Sequence, residues 1–121
     1  MKPFKVLIID DDPSTCSLIQ TILEMEDYQT ASINQIEAGI IPLLDKEQPH
    51  ILILDFHLRD QETLNYIETI RQHPDWQNLA ILTISAIDRA EESLKAGAND
   101  FLLKPFDFQD IITAVNQMTT I

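Results

Sequence analysis

The sequence predicts an α/β fold in which a parallel sheet carries helices on both faces. Two short aliphatic runs, Val6–Leu7–Ile8–Ile9 and Ile51–Leu52–Ile53–Leu54, contain no polar residue. Runs of this kind read as strands buried on both sides. Between such runs lie segments whose apolar residues recur at helical spacing, as in Leu18, Ile19, Ile22 and Leu23. Strand and helix patterns alternate five times along the chain, the order that builds a parallel sheet covered on both faces.

The chain has 121 residues, which suits one compact domain, residues 1–121, able to bury roughly two-thirds of its unfolded surface. Cys16 is the single cysteine, so no internal disulfide forms, in keeping with a reducing cytoplasm. No signal peptide is expected, because the first apolar run ends in aspartates at residue 10. No apolar stretch approaches membrane-spanning length. Twenty acidic residues face eight basic ones, for a net charge of −12. Such a field repels phosphate backbones and argues against direct nucleic-acid binding. Most of the acidity, including Glu24, Glu26, Glu91 and Glu92, reads as solvated surface.

In chain order, the first strand Phe4–Ile9 ends at Asp10, Asp11 and Asp12. Asp12 before Pro13 marks a helix start, with the aspartate as cap and proline at the first helical position. Cys16 is expected to pack inward as a small hydrophobe. The helix should end near Asp27, a position that would suit glycine better. A weaker strand follows at Tyr28–Ser32. Residues 34–47 have helical spacing, although Gly39 and Pro42 interrupt it. The central strand His50–Asp55 comes next, then a third helix marked by Leu64, Ile67 and Ile70. Trp76 is expected to cover core at the far edge of the sheet. The fourth strand, Leu79–Ile84, ends at Ser85. A short helix from Asp88 to Ala96 closes at Gly97. The fifth strand, Phe101–Leu103, ends at Lys104–Pro105. Asp107 caps a last helix whose apolar face is Ile111, Ile112, Val115 and Met118.

Each informative polar residue stands at the carboxyl end of a predicted strand: Asp10 and Asp11, Asp55, Ser85 and Lys104. In a parallel sheet those ends share one edge, where open α/β sheets bind their ligands. Carboxylates brought together there repel, so either one takes a proton or a cation sits among them. Without His or Cys in the set, a hard cation with oxygen ligands, Mg²⁺, fits better than zinc. The Lys104 ammonium and the Ser85 hydroxyl are suited to hold phosphoryl oxygens. Asp55 would then be the nucleophile, forming an acyl phosphate.

The motifs VLIIDDDP, HILILD, ILTISA and AGANDFLLKPF, in this order, make the chain resemble the receiver domain of two-component response regulators over essentially its whole length. The resemblance implies a flavodoxin-like (βα)5 fold with strand order 2-1-3-4-5. It also implies site roles. Asp55 matches the phosphoacceptor, Asp11 a direct Mg²⁺ ligand, and Asp10 an acid acting through water. The backbone carbonyl of His57 matches a main-chain metal ligand. Ser85 matches the hydroxyl that follows the phosphoryl group, Lys104 the lysine paired with it, and Phe101 an aromatic that changes rotamer on activation. The Lys104–Pro105 bond is expected to be cis.

Function follows by the same resemblance: a regulatory switch, not an enzyme, that takes its phosphoryl group from a sensor histidine kinase or phosphotransfer protein. It would pass the signal to an effector or output domain, with no membrane contact and with homodimerisation allowed. The contrasting reading is a receiver-like scaffold that binds partners without phosphorylation. Features outside the usual pattern favour that reading slightly, while the complete acidic pocket weighs against it. Arg59 and Thr63 stand where receivers often carry proline and glycine, and the segment from Ser85 to Gly97 is short. A phosphatase of the haloacid dehalogenase type is disfavoured, since Asp55–Phe56–His57 lacks that class's second carboxylate.

Overall fold

Five strands form the sheet: β1 (Lys5–Ile9), β2 (Gln29–Ile33), β3 (Ile51–Asp55), β4 (Ala80–Ser85) and β5 (Asp100–Leu103). Their spatial order is β2-β1-β3-β4-β5, and every neighbouring pair is parallel. Five helices alternate with them: α1 (Pro13–Met25), α2 (Ile40–Glu47), α3 (Thr63–Gln72), α4 (Ala90–Ala96) and α5 (Phe108–Met118). The computed structural model describes residues 4–56 and 63–119. The architecture is the flavodoxin-like one that the sequence led us to expect.

The unbroken apolar runs are explained by where the strands sit. Successive strand side chains point to opposite faces, and here both faces are covered. Val6, Ile8, Ile53 and Leu82 pack with Ile19, Leu23, Ile111 and Val115 beneath α1 and α5. Leu7, Ile9, Leu52 and Leu54 pack with Leu44, Ile67 and Ile70 beneath α2 and α3. All five residues of β3 are buried. Each fully buried aliphatic side chain there contributes about 1.5–3 kcal/mol. A core of this kind fixes the strand ends, and with them the polar residues that follow.

Local chemistry sets the element boundaries. Asp12 caps α1 by accepting from the Ser14 backbone N–H at 2.9 Å, with Pro13 at the first helical position. Asp107 and Asp110 form a reciprocal capping box on α5. The 34–47 expectation needs correction, because the second helix begins only at Ile40. Gly39, at φ 93°, is its N-cap, and Pro42 falls in its first turn, where an amide has no intrahelical partner to lose. The two interruptions therefore define the start of this helix. Trp76 is buried in the α2–α3 core, and its indole N–H donates to Asp45 Oδ1 at 2.8 Å.

Arg71 carries structure that no hydrophobic pattern revealed. Its guanidinium donates to the backbone carbonyls of Gly97, Gln77 and Leu79 and to Asn99 Oδ1. It thereby ties α3 to the start of β4 and to the α4–β5 turn. At Gly97, with φ 123°, an added Cβ would lie 2.9 Å from the Arg71 side chain.

The end of α1 yields a stability prediction. Tyr28 N–H donates to Leu23 O and Asp27 N–H to Glu24 O, the pair of bonds of a Schellman motif. Asp27 takes the left-handed position with φ 68°, which for a residue with a Cβ costs on the order of 1 kcal/mol. Asp27→Gly is expected to raise the melting temperature by about 2–4 °C. A calorimetric scan showing a lower value would contradict this account of the turn.

Candidate functional site

The ends of β1, β3, β4 and β5 bring the expected residues to one edge of the sheet. Asp10 follows β1, and its side chain is fully buried. One of its oxygens accepts from the Asp12 backbone N–H at 2.9 Å. Its backbone carbonyl accepts from Asn34 Nδ2 at 3.0 Å and from the Cys16 thiol at 3.4 Å. Asp55 closes β3 with 1% of its surface exposed, and its backbone carbonyl accepts from the Thr63 hydroxyl at 2.7 Å. Thr63 thus holds the end of β3 through a bond that glycine could not supply.

Lys104 joins the two buried acids. Its ammonium lies 2.9 Å from Asp10 Oδ2 and 3.4 Å from Asp55 Oδ1. The Lys104–Pro105 peptide is cis, and the Lys104 backbone N–H donates to Ser85 O at 2.7 Å. Ser85 is fully buried at the end of β4, and its Oγ accepts from the Ile87 backbone N–H at 3.1 Å. Burial works against the Lys104 charge. The hydrogen bond to Asp10 and the charge of Asp55 outweigh it, so the ammonium's pKa stands above its ordinary 10.5. Burial, reinforced by the Asp10 charge, raises the Cys16 thiol above its ordinary 9.0. That leaves it an inert core residue, as expected.

Asp10, Asp11 and Asp55 each offer a carboxylate oxygen, and these oxygens lie within 4.8 Å of one another. Among the described residues, Lys104 is the one ammonium bonded to any of these acids. An all-oxygen, net-negative donor set of this kind suits a hard divalent cation. His57 lies outside the described residues, and so does Arg59. Asp12 serves as the helix cap. Phe101 is half-buried on β5, its ring 6.5 Å from that of Phe56 in an edge-on arrangement.

Three contributions escaped sequence reasoning: Asn34 and Thr63 on the backbone carbonyls, and Arg89, whose guanidinium lies 5.1 Å from the centre of the Phe56 ring. Each acts across a turn between elements, where periodicity carries no signal. An exposed apolar groove of about 360 Å³ also runs between α1 and α5, lined by Leu18, Ile22, Met25, Phe106, Phe108 and Ile112.

The family model of the response regulator receiver domain matches residues 6–116. The chain belongs to the response regulator receiver domain family. As a member of that family it is a signalling domain of two-component systems. It is 33% identical over 116 residues to an uncharacterized 14.6 kDa protein in the sodA1 3′ region of Leptolyngbya boryana, covering 93% of this chain and 87% of that one. It is 34% identical over 111 residues to the transcriptional regulatory protein KdpE of Staphylococcus aureus, covering 88% of this receiver and 46% of the regulator. This receiver therefore spans less than half the length of that relative. A structure from Chloroflexus aurantiacus, provisionally assigned as a response regulator, superposes with a TM-score of 0.87 at 28% identity, covering 99% and 100% of the two chains. The chemotaxis response regulator CheY4 of Vibrio cholerae shares the fold, with a TM-score of 0.86 at 19% identity and 97% and 99% coverage.

The ion pair at Lys104 has a pH signature. Because the folded-state pKa is raised, its contribution is complete below 10.5 and is lost as the pH rises through the folded value. Urea midpoints of wild type and Lys104→Met should differ most near neutrality and converge in alkali. A gap that stayed constant from pH 8 to the alkaline limit would remove the ammonium from this role.

Proposed function

We propose that this receiver is a phosphorylation-switched module in which Asp55 accepts a phosphoryl group in a Mg²⁺-dependent reaction. The observation that carries the reading is the Lys104 ammonium bridging Asp10 and Asp55 within a cluster of three carboxylates. We also infer that residues 1–121 act as a single receiver unit.

Asp55 is the nucleophile. One of its oxygens attacks the phosphorus of a phosphohistidine on a sensor histidine kinase or phosphotransfer protein. The phosphohistidine ring carries a proton on its other nitrogen, so when the P–N bond breaks and its electron pair returns to nitrogen, a neutral imidazole leaves on the donor and an acyl phosphate forms on Asp55. Lys104 is held beside the reacting carboxylate and can bond the incoming phosphoryl oxygens. The Ser85 hydroxyl, at the end of the adjacent strand, supplies a second donor. Asp11 and Asp55 would hold Mg²⁺ directly, Asp10 through water, and His57 through its backbone carbonyl. When bound, Mg²⁺ neutralises charge on the transferring group and screens the acids from each other. Phe101 is the aromatic that responds to the Ser85 shift.

Phe106 and Phe108 of the groove between α1 and α5 closely follow Lys104 in the chain. The groove offers the donor an apolar surface. The modified chain signals to an effector or output domain by its change of shape, without itself contacting nucleic acid. Among the described residues no helix is long and apolar enough to cross a membrane, and we assign the module to the cytoplasm, where the donor's histidine is phosphorylated.

Intact mass after incubation with acetyl phosphate and Mg²⁺ tests the reading. Wild type should gain one phosphoryl group, Asp55→Asn none, and Asp11→Ala should load at least tenfold more slowly, the scale of losing about 1.4 kcal/mol of transition-state stabilisation. Loading of Asp55→Asn at the wild-type rate would sink the assignment. A wild type that never loads would leave the scaffold reading in its place.

The lifetime of the acyl phosphate depends on water reaching it from the side opposite Asp55. Ile87, two residues beyond Ser85, is 58% exposed and offers no hydrogen bond from its side chain. We expect slow hydrolysis, accelerated in Ile87→Glu, whose carboxylate can hold a water. Phosphate loss followed after donor removal checks this, and an unchanged or slower decay in the variant would rule it out.

A further inference from the structure

α4 is fastened to the molecule almost without apolar burial. Ser93 is its one buried residue, and Leu94 is 49% exposed. Polar tethers hold the helix instead. In its middle, the Ser93 hydroxyl meets the buried Thr83 hydroxyl of β4. At its carboxyl end, Arg71 Nε donates to Gly97 O at 2.9 Å. At its start, Arg89 is the N-cap residue. The guanidinium stacks over Phe56 with 5.1 Å to the ring centre, and Nε and Nη2 donate to the Glu92 carboxylate at 3.1 and 3.0 Å.

Of these three tethers, the one at Arg89 reaches the residue next to Asp55. Phe56 in turn lies edge-on to Phe101. Between Ser85 and Arg89 runs a short segment whose Ile87 N–H donates to Ser85 Oγ at 3.1 Å. If the Ser85 hydroxyl turns toward a phosphoryl group on Asp55, that bond must change and the segment must follow it. Arg89 stands at the far end of the segment, clamped between an aromatic ring and a carboxylate, and resists the movement.

We propose that Arg89 is a positioning residue that stabilises the resting arrangement of α4 through its stack on Phe56, and so sets how readily the site adopts the phosphorylated state. The proposal rests on Asp55 being the phosphoacceptor. A contact made in the resting state and lost in the other shifts the balance by its own free energy. Glu92 holds the guanidinium plane over the ring, and the pair faces solvent on its other side, so the latch is weak enough to open.

Beryllofluoride with Mg²⁺, titrated into the full chain and followed by fluorine NMR, supplies a phosphoryl mimic whose affinity reports the balance. Arg89→Ala should bind it roughly two- to fivefold more tightly, the scale of one partly exposed cation–π contact. Arg89→Lys should fall between, because an ammonium keeps the charge but not the flat stack. Phe56→Leu, which removes the ring from the other side, should move in the same direction as Arg89→Ala. In the metal-free protein, amide hydrogen exchange should rise over α4 in Arg89→Ala and stay unchanged in β1 and β3. Unchanged or weaker affinity in Arg89→Ala, a shift in the opposite direction in Phe56→Leu, or unaltered exchange over α4 would overturn the proposal. Asp55→Asn separates this from the underlying reading: if that variant bound beryllofluoride like wild type, the phosphoacceptor assignment itself would fail.

Discussion

Two carboxylates are buried at the edge of an apolar sheet, and one ammonium reaches both. Asp10 and Asp55 are almost completely removed from solvent, a placement that strongly disfavours charged groups unless they are paired. Lys104 provides the pairing at 2.9 and 3.4 Å. It enters from the end of β5, the outermost strand on that side, so the pair depends on the whole β1–β3–β4–β5 order being correct. Among the described residues, this one ammonium faces three acids, Asp10, Asp11 and Asp55. That cluster is thus an all-oxygen donor set of the kind that could hold a divalent cation.

Around that edge the backbone is held from several directions. Thr63 bonds the Asp55 carbonyl, Asn34 and Cys16 bond the Asp10 carbonyl, and the Lys104 amide bonds Ser85. These contacts fix the backbone of Asp10, Asp55 and Ser85 without engaging their side chains. Rigid support of this kind holds a site's side chains in a defined geometry.

α4 contrasts with that rigidity. β3 is buried along its whole length and α5 buries Ile111, Ala114 and Val115, whereas α4 turns mostly charged and small residues outward and hangs on polar tethers. Elements with little apolar burial open at lower free energy than the core. In this receiver the weakly held helix is the one whose start touches Phe56. The tightly held sheet edge and the weakly held helix are therefore neighbours in space, though separate in energetic character.

Much of this was legible in the sequence because it rests on local rules. Unbroken aliphatic runs announce strands buried on both faces. The Asp12–Pro13 and Asp107 caps mark helix starts, and the polar residues following each strand lie on one edge once the sheet is parallel. The start of α2 was misjudged because Gly39 and Pro42 could be read as interruptions within a helix when they form its beginning, and the two readings share one apolar spacing. The contacts of Arg71, Thr63, Asn34 and Arg89 could not be read at all. Each joins residues whose proximity arises from the path of the chain through the sheet, and a single side chain's reach over a turn leaves no period in the sequence. The sequence by itself determined which residues would meet at the carboxyl edge, since strand direction and hydrophobic burial dictate it. Only the tertiary structure decided how tightly that edge is held and which helix is left loose, because those depend on individual polar contacts between segments distant along the chain.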